Sequence, residues 1–309
     1  MANLMNPVNM PDTLVRAAAD VQGRSLWRDA WGRFMRNRAA FWSLITLGCV
    51  GIFASLGPFI AVWSHQDIDW AVLGNVTEMG RPALANGHYF GTDELGRDLF
   101  ARTVQGTQIS LMVGIVGAVI AVIIGTLYGA VAGYLGGKVD SVMMRLVDIL
   151  MSIPYMFVLI LMLVVFGKSI MMLFIGIGLL SWLEMSRIVR GQTLSLKNKE
   201  FVEAAIATGV RPARIILRHI VPNLLGVVAV YATLLVPSMI IYESFISFLG
   251  LGVQEPMTSL GALISAGSSQ MQYGVLWQIG FPLAVFILIL FSLFFVGDGL
   301  RDALDPKDR

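Results

Sequence analysis

The sequence predicts an all-α fold, a polytopic membrane protein with six transmembrane helices. Three observations carry that expectation. The chain has 309 residues, of which 56% are hydrophobic and only 14% charged, where a soluble domain carries about a quarter charged residues. The apolar residues stand in long blocks instead of at amphipathic spacing, so the solvent for much of this chain is lipid. Finally, Lys and Arg concentrate in alternate connections between the blocks, as membrane topology requires.

The elements follow in order. Residues 1–38 form a basic segment holding Arg16, Arg24, Arg28, Arg33, Arg36 and Arg38. Within 24–38, Trp27, Trp31, Phe34 and Met35 fall on one helical face with arginines around them. This pattern fits an interfacial helix, or a plain positive flank that sets topology. The first apolar run begins after mostly polar residues and exceeds the ~7–15 residues of a signal h-region, so it is expected to be an uncleaved anchor. It spans 39–63.

An outer segment, 64–108, separates it from a permease-sized core over 109–298. The second span runs from about Ile109 to Leu135. Its Gly125, Gly129 and Gly133 recur every four residues, which lets two helix backbones approach closely, either within this chain or between subunits. The third, Val142 to Phe166, contains Arg145, Asp148 and Pro154, and Pro154 is expected to kink it. The fourth starts after Lys168 and extends past Glu184. A basic loop, 190–222, leads to the fifth, Asn223 to Tyr242, and the sixth runs from about Leu276 to Val296. A tail, 299–309, completes the chain.

Six crossings place the N-terminal arginines, Lys138, Arg145, Arg187, Arg190, Lys197, Lys199, Arg211, Arg214, Arg218, Arg301, Lys307 and Arg309 on one face. The other face keeps Arg81, Arg97, Arg102 and Lys168. The asymmetry predicts both termini in the cytoplasm.

Several function classes are disfavoured. The single Cys49 lies in an apolar run, so no disulfide framework is expected. His65, His88 and His219 are too dispersed for a metal cluster, and no catalytic residue or metal site is assigned. Gly167-Lys168-Ser169 resembles part of a phosphate loop, but Met162 stands where the loop needs glycine. A secondary transporter would need coupling-ion ligands near mid-membrane, and a membrane enzyme a cluster of His, Asp or Glu at one bilayer face. Asp148, Glu184 and Glu243 are isolated. Ionisable residues in spans are functional candidates by default, yet each has a structural alternative. Asp148 can pair with Arg145 one turn away, Glu184 lies close to Arg187, and Glu243 near the outer end of its span can face water.

The basic loop is the most informative stretch. Ser195 to Thr208 can form a helix with Phe201, Val202, Ala205 and Ile206 near one side. Gly209 suits a C-terminal cap, and Pro212 suits the first turn of a second short helix ending toward Pro222. Small Ala204 and Ala205 would let a partner sit close. Spacing alone leaves two readings, a docking surface or an amphipathic connector on the lipid.

Glu203-Ala204-Ala205, Gly209 and Ile220-Val221-Pro222 resemble the EAA loop of ABC-importer permeases. Three more stretches narrow the likeness: Phe90-Gly91-Thr92-Asp93-Glu94-Leu95-Gly96-Arg97-Asp98, Ser247-Phe248-Leu249-Gly250-Leu251-Gly252, and Gly297-Asp298-Gly299-Leu300-Arg301-Asp302-Ala303-Leu304-Asp305-Pro306. Together they are similar to the C-type permease subunits of dipeptide and oligopeptide importers, from Arg24 onward. One departure is that His219 and Val221 fill positions where many such loops carry Ile and Leu.

The resemblance implies a type I importer permease fold in a bacterial inner membrane. It implies that Glu203, Ala204, Ala205, Gly209, Arg214, His219 and Pro222 form a coupling loop docking on an ATPase, and that Phe90, Gly91, Thr92, Asp93, Gly96, Arg97 and Asp98 lie outside the cell. The implied partners are a second six-span permease, two ATP-binding subunits carrying ATP and Mg, and an extracytoplasmic peptide-binding protein. The chain itself binds no cofactor on this reading, and no nucleic-acid partner is expected. Oligopeptides are the expected cargo, with nickel chelates, glutathione or antimicrobial peptides as alternatives. The outer segments Ser64–Thr107 and Gly250–Val275 are either contacts for the binding protein or caps on this subunit.

Overall fold

The computed structural model describes residues 26–304, with the side chains of Leu26 and Trp27 left out. Arg16, Arg24, Asp305, Pro306, Lys307 and Arg309, and the Trp27 side chain, lie outside the described residues. Helices dominate what is described, and β structure is limited to isolated bridges such as Ile68 with Arg97 and Thr92 with Asp98.

A first helix, α1 (Leu26–Arg36), stops at Asn37. The Asn37 side chain caps α2 (Arg38–Ile60) by accepting from Ala39 N at 3.1 Å and Ala40 N at 3.2 Å, satisfying two amides that have no partner inside the helix. Within the 24–38 stretch, residues 26–36 are helical. Its face toward the protein is Ala30 and Phe34, buried with Ala40 and Ala303, while Trp31 and Met35 stay exposed.

The second span, α3 (Leu99–Leu135), starts about ten residues earlier than its hydropathy predicts. At 37 residues it is ~55 Å long, well beyond the ~30 Å hydrocarbon layer. Its first turns carry Arg102, held by Glu255 of a distant loop, Gln108, which donates to the Ala54 carbonyl of α2, and the half-buried Gln105. Gly136 and Gly137, with φ of 65° and 55°, turn the chain into the next element.

The third span is not one kinked helix. It is a broken pair, α4 (Gly137–Ser152) and α5 (Tyr155–Phe166), bent by 78°. Pro154 has no N–H to donate and holds Ile153 extended at ψ 130°, so helical backbone cannot continue through it. Ser169 caps α6 (Ile170–Leu196) by accepting from Met172 N at 3.1 Å. The α3 glycine row packs against α6 within this chain: a Cβ on Gly125 would sit 2.6 Å from Met185 Cβ, and one on Gly133 would sit 2.7 Å from Thr193 Cβ.

The basic loop also departs from its expected form. A helix over Ser195–Thr208 does not form; α6 ends at Leu196, and α7 (Glu200–Ala207) is separate. Pro212 does open a helix as predicted, but that helix does not end at Pro222. It continues as α8 (Pro212–Phe248). A π-helical stretch at Ile216–Ile220 ends two residues before Pro222, and the widened turn accommodates a residue that cannot donate to the preceding turn.

Two helices complete the bundle, α9 (Leu260–Gln270) and α10 (Trp277–Leu304). With 11 residues, α9 is too short to cross; it wedges between α8 and α10, with Gly261 against Ser244 and Gly267 against Gln278. Residues 299–304, expected in a tail, are the last turns of α10, and Gly299 there packs on Ala40 and Phe34.

Candidate functional site

The bent element at the basic end is built by local rules. Gly209 has φ 76°, its N–H donates to Ile206 O at 2.9 Å, and Val210 N donates to Ala205 O at 3.1 Å. That pair of bonds is the glycine C-cap in which the chain reverses through a left-handed residue. No atom lies within 4 Å of where a Gly209 Cβ would be, so the backbone conformation, not space, selects glycine. On the inner side, Val202, Ala205, Ile215, Ile216 and Ile220 bury against Ala130 of α3, Met185 and Val189 of α6, and Leu224 and Val228 of α8. Burying a side chain of this size contributes ~1.5–3 kcal/mol, so the element is anchored to three spans.

The candidate residues divide across this element. Glu203, Ala204, Gly209, Arg214 and Pro222 are exposed, His219 is half-buried, and Ala205 is buried. Ala205 therefore serves internal packing, and Ala204 alone of the alanine pair offers close approach. The single apolar side expected of Phe201, Val202, Ala205 and Ile206 is split: Val202 and Ala205 are buried, whereas Phe201 and Ile206, with Leu217 of the next helix, are exposed. An i, i+3/i+4 pattern with two anchors pointing inward leaves Phe201 and Ile206 outside, and that split is visible only once Val202 and Ala205 are known to be the anchors.

The span acids are placed differently from expectation. Asp148 pairs with Arg187 of α6, not with Arg145, and Asp140 takes Arg190 with Nη2 to Oδ2 at 2.6 Å. Both pairs tie α4 to α6 near the basic end. Glu184 does not pair with Arg187; it is exposed and lines a cavity of about 300 Å³ beside the α4–α5 break. Glu243 does not face water. It is fully buried, accepting from Ser247 Oγ at 2.6 Å, Ser110 Oγ at 3.0 Å and Ser244 Oγ at 3.3 Å, while Ser110 Oγ accepts from Leu260 N at 3.2 Å. The carboxylate is the hub that fastens α9 to α3 and α8.

The stretch from Phe90 to Asp98 folds inward at the opposite end. Gly91 and Gly96 take φ of 79° and 74°. Asp98 accepts from Ala101 N at 2.7 Å as the cap of α3 and lies 2.9 Å from His88 Nδ1, while His88 Nε2 lies 3.3 Å from Asp69 and the ring stacks on Trp63. Desolvation pushes the Asp98 carboxyl above its usual value, against the lowering contributed by its amide and His88 partners. Asp93 accepts from Arg97 Nε at 2.7 Å, and Glu255 accepts from Arg97 Nη1 at 2.8 Å and Arg102 Nη2 at 2.9 Å. Burial alone would raise Glu255; Arg102 and then Arg97 outweigh it and hold the carboxyl below its usual range. The Thr92 carbonyl accepts from Gln278 Nε2 at 2.9 Å and Trp277 Nε1 at 3.2 Å, and Phe90 stacks on Phe281 at 4.2 Å. Phe90–Asp98 thus packs over the ends of α2, α3 and α10. Trp70 and Leu84 remain exposed on its outside.

Residues 125–309 match the family described as binding-protein-dependent transport system inner membrane component. Residues 25–75 match the N-terminal TM domain of oligopeptide transport permease C. The oligopeptide transport system permease protein OppC of Escherichia coli K12 is 57% identical over 290 residues, 94% of each chain. The chain belongs to the binding-protein-dependent inner membrane permeases.

Other relatives bracket this permease. A Bacillus subtilis dipeptide transport system permease protein, DppC, is 42% identical over 92% of this chain and 87% of its own. A solved structure of the MetNI methionine ABC transporter, inward facing, has TM-score 0.52 at 19% identity, covering 65% of this chain and 95% of that one; at that identity the likeness concerns the fold. The permease is thus a membrane component of a transport system and not a catalyst. The family match spans the end of α3 and all of α4 to α10, so the bent element lies inside the shared fold.

Proposed function

We propose that this permease is one half of the membrane pathway of an ATP-driven peptide importer, most directly an oligopeptide importer. The observation that carries the reading is the 57% identity to an oligopeptide permease along nearly the whole chain. The rigidly anchored, outwardly apolar element at 200–220 supports it independently, because a surface of Phe201, Glu203, Ala204 and Ile206 on a fixed base suits a protein partner. That partner is an ATP-binding subunit carrying ATP and Mg, one of two; a second six-span permease completes the pathway. Glu203, Ala204, Gly209, Arg214, His219 and Pro222 belong to the docking region, with Ala205 holding it from beneath.

In this reading both termini and the bent element face the cytoplasm, and the Phe90–Asp98 knot faces the extracytoplasmic binding protein, whose contacts fall on exposed side chains such as Trp70 and Leu84. Closure of the ATPases pushes on α7, and Val202, Ala205 and Ile215 transmit the displacement to α3, α6 and α8. Nucleotide and loaded binding protein bias the two pathway states through their different affinities for each. The test is reconstitution of the complete complex in proteoliposomes with labelled tripeptide. ATP-dependent uptake that requires the binding protein is expected; uptake by this chain alone in an ion gradient would overturn the proposal.

A further inference from the structure

Glu184 is the one span acid discussed above left with no hydrogen bond or ion pair among the described residues, while Asp140, Asp148 and Glu243 are each held by arginine or serine. It lines the cavity of about 300 Å³ together with Ser152, Pro154, Tyr155, Ser238 and Tyr242. The cavity lies at the break between α4 and α5, midway along the broken span. Non-helical backbone at membrane depth persists only where protein buries it or water lines it, and Ser152, Ile153 and Pro154 are all exposed in this chain.

The chemistry at this break favours a cation. The carbonyls of Met151 and Ser152 close α4 and receive no hydrogen bond among the described residues. The α4 C-terminus carries partial negative charge and the α5 N-terminus across the break partial positive charge, so the sign of the site is set by its side chains. The Glu184 carboxylate adds a full negative charge. Tyr155 and Tyr242 stand together with ring centroids 4.4 Å apart, an aromatic wall that attracts an ammonium group. Arg190 and Arg187 are engaged by Asp140 and Asp148, and Arg145 does not line the cavity.

We propose that this pocket holds the α-ammonium group of a cargo peptide part-way through the membrane, with Glu184 as its counter-charge. The inference rests on the peptide-import reading and names which part of the peptide this half of the pathway grips. A carboxylate–ammonium contact is a charge-assisted hydrogen bond, and the pocket volume admits a terminal residue but not a folded peptide.

The test uses the complete complex in proteoliposomes and radiolabelled trialanine at concentrations that saturate the binding protein. Glu184→Gln keeps the shape of the exposed side chain and removes its charge. It is expected to lower the maximal uptake rate about tenfold, the equivalent of one charge-assisted bond, without changing the half-saturating concentration set by the binding protein. ATP hydrolysis stimulated by loaded binding protein should remain. Glu184→Asp should restore most of the rate, which packing alone would not predict. Wild-type uptake by Glu184→Gln overturns the inference. Loss of assembly or of ATP hydrolysis in Glu184→Gln also overturns it, since Glu184 would then serve a subunit contact. Absence of peptide uptake by the wild-type complex would instead remove the peptide-import reading and the inference with it.

Discussion

Replacing Gly209 separates two explanations of the bend. The residue has φ 76° and nothing within 4 Å of a would-be Cβ, so side-chain size should not matter and left-handed backbone strain should. For an L-residue that strain is ~1–2 kcal/mol, less for Asn and Asp and more for β-branched residues. Against it stand Val202, Ile215 and Ile220, each fully buried, at ~1.5–3 kcal/mol apiece. The anchors win, so Gly209→Ala should keep the element docked while lowering its local stability. One tenfold step in amide protection corresponds to ~1.4 kcal/mol, and amide protection over 200–211 in the purified complex should fall by about that much, with faster exchange, for Gly209→Ala. Gly209→Asn should lose less although it is larger, and Gly209→Val should lose most. Gly209→Asp should keep the bend like Asn, so any uncoupling of ATP hydrolysis from uptake would report its charge at the docking face. An order that follows side-chain volume, with Asn worse than Ala, would refute the strain argument.

Three further predictions concern the scaffold. A Cβ on Gly129 meets the α6 backbone at Ser186 and Arg190, so Gly129→Ala should destabilise the permease by ~1–3 kcal/mol through overpacking, whereas Gly191→Ala, with open space around it, should be neutral or stabilising in the same thermal-stability assay. Asp98→Ala removes the α3 cap and one carboxylate partner of His88; loss of a cap costs ~0.5–2 kcal/mol, and Asp98→Asn, which can still cap, should recover part of it in protease resistance of the 64–98 segment. Glu255 has a carboxyl held low by Arg102 and Arg97. A depressed folded-state pKa contributes stability above the unfolded value of ~4.3, lost as pH falls through the folded value. Proteolysis of the 250–259 segment should therefore accelerate below about pH 4 in the wild type, and Glu255→Gln should flatten that dependence.

The spans, the Gly209 cap, the Pro212 helix start and the family were legible because each rests on local chemistry: unbroken apolar runs, a left-handed glycine, a proline at a first turn. Errors arose where tertiary contacts decide. Hydropathy does not find the first ten residues of α3, since Arg102 and Gln108 find their partners far away in sequence, at Glu255 and at Ala54. Spacing points Asp148 to Arg145 one turn away, yet Arg187 reaches it from α6 once Pro154 breaks the third span. Glu243 looked exposed near a helix end because nothing local signals that Ser110, 133 positions earlier, donates to it. The Ala204–Ala205 pair reads as one close-approach surface, although neighbouring helical residues point about 100° apart and only Ala204 is exposed.

The central claim, that the element over 200–220 is the inner-face docking surface for an ATPase, is tested most directly at Ala204, which is exposed. Ala204→Cys is made in a Cys49→Ser background and treated with a membrane-impermeant maleimide. Labelling is expected in inverted vesicles stripped of the ATP-binding subunits, suppression when those subunits are restored, and none in intact cells. Modification from outside intact cells, or equal labelling with and without the ATP-binding subunits, would contradict the account.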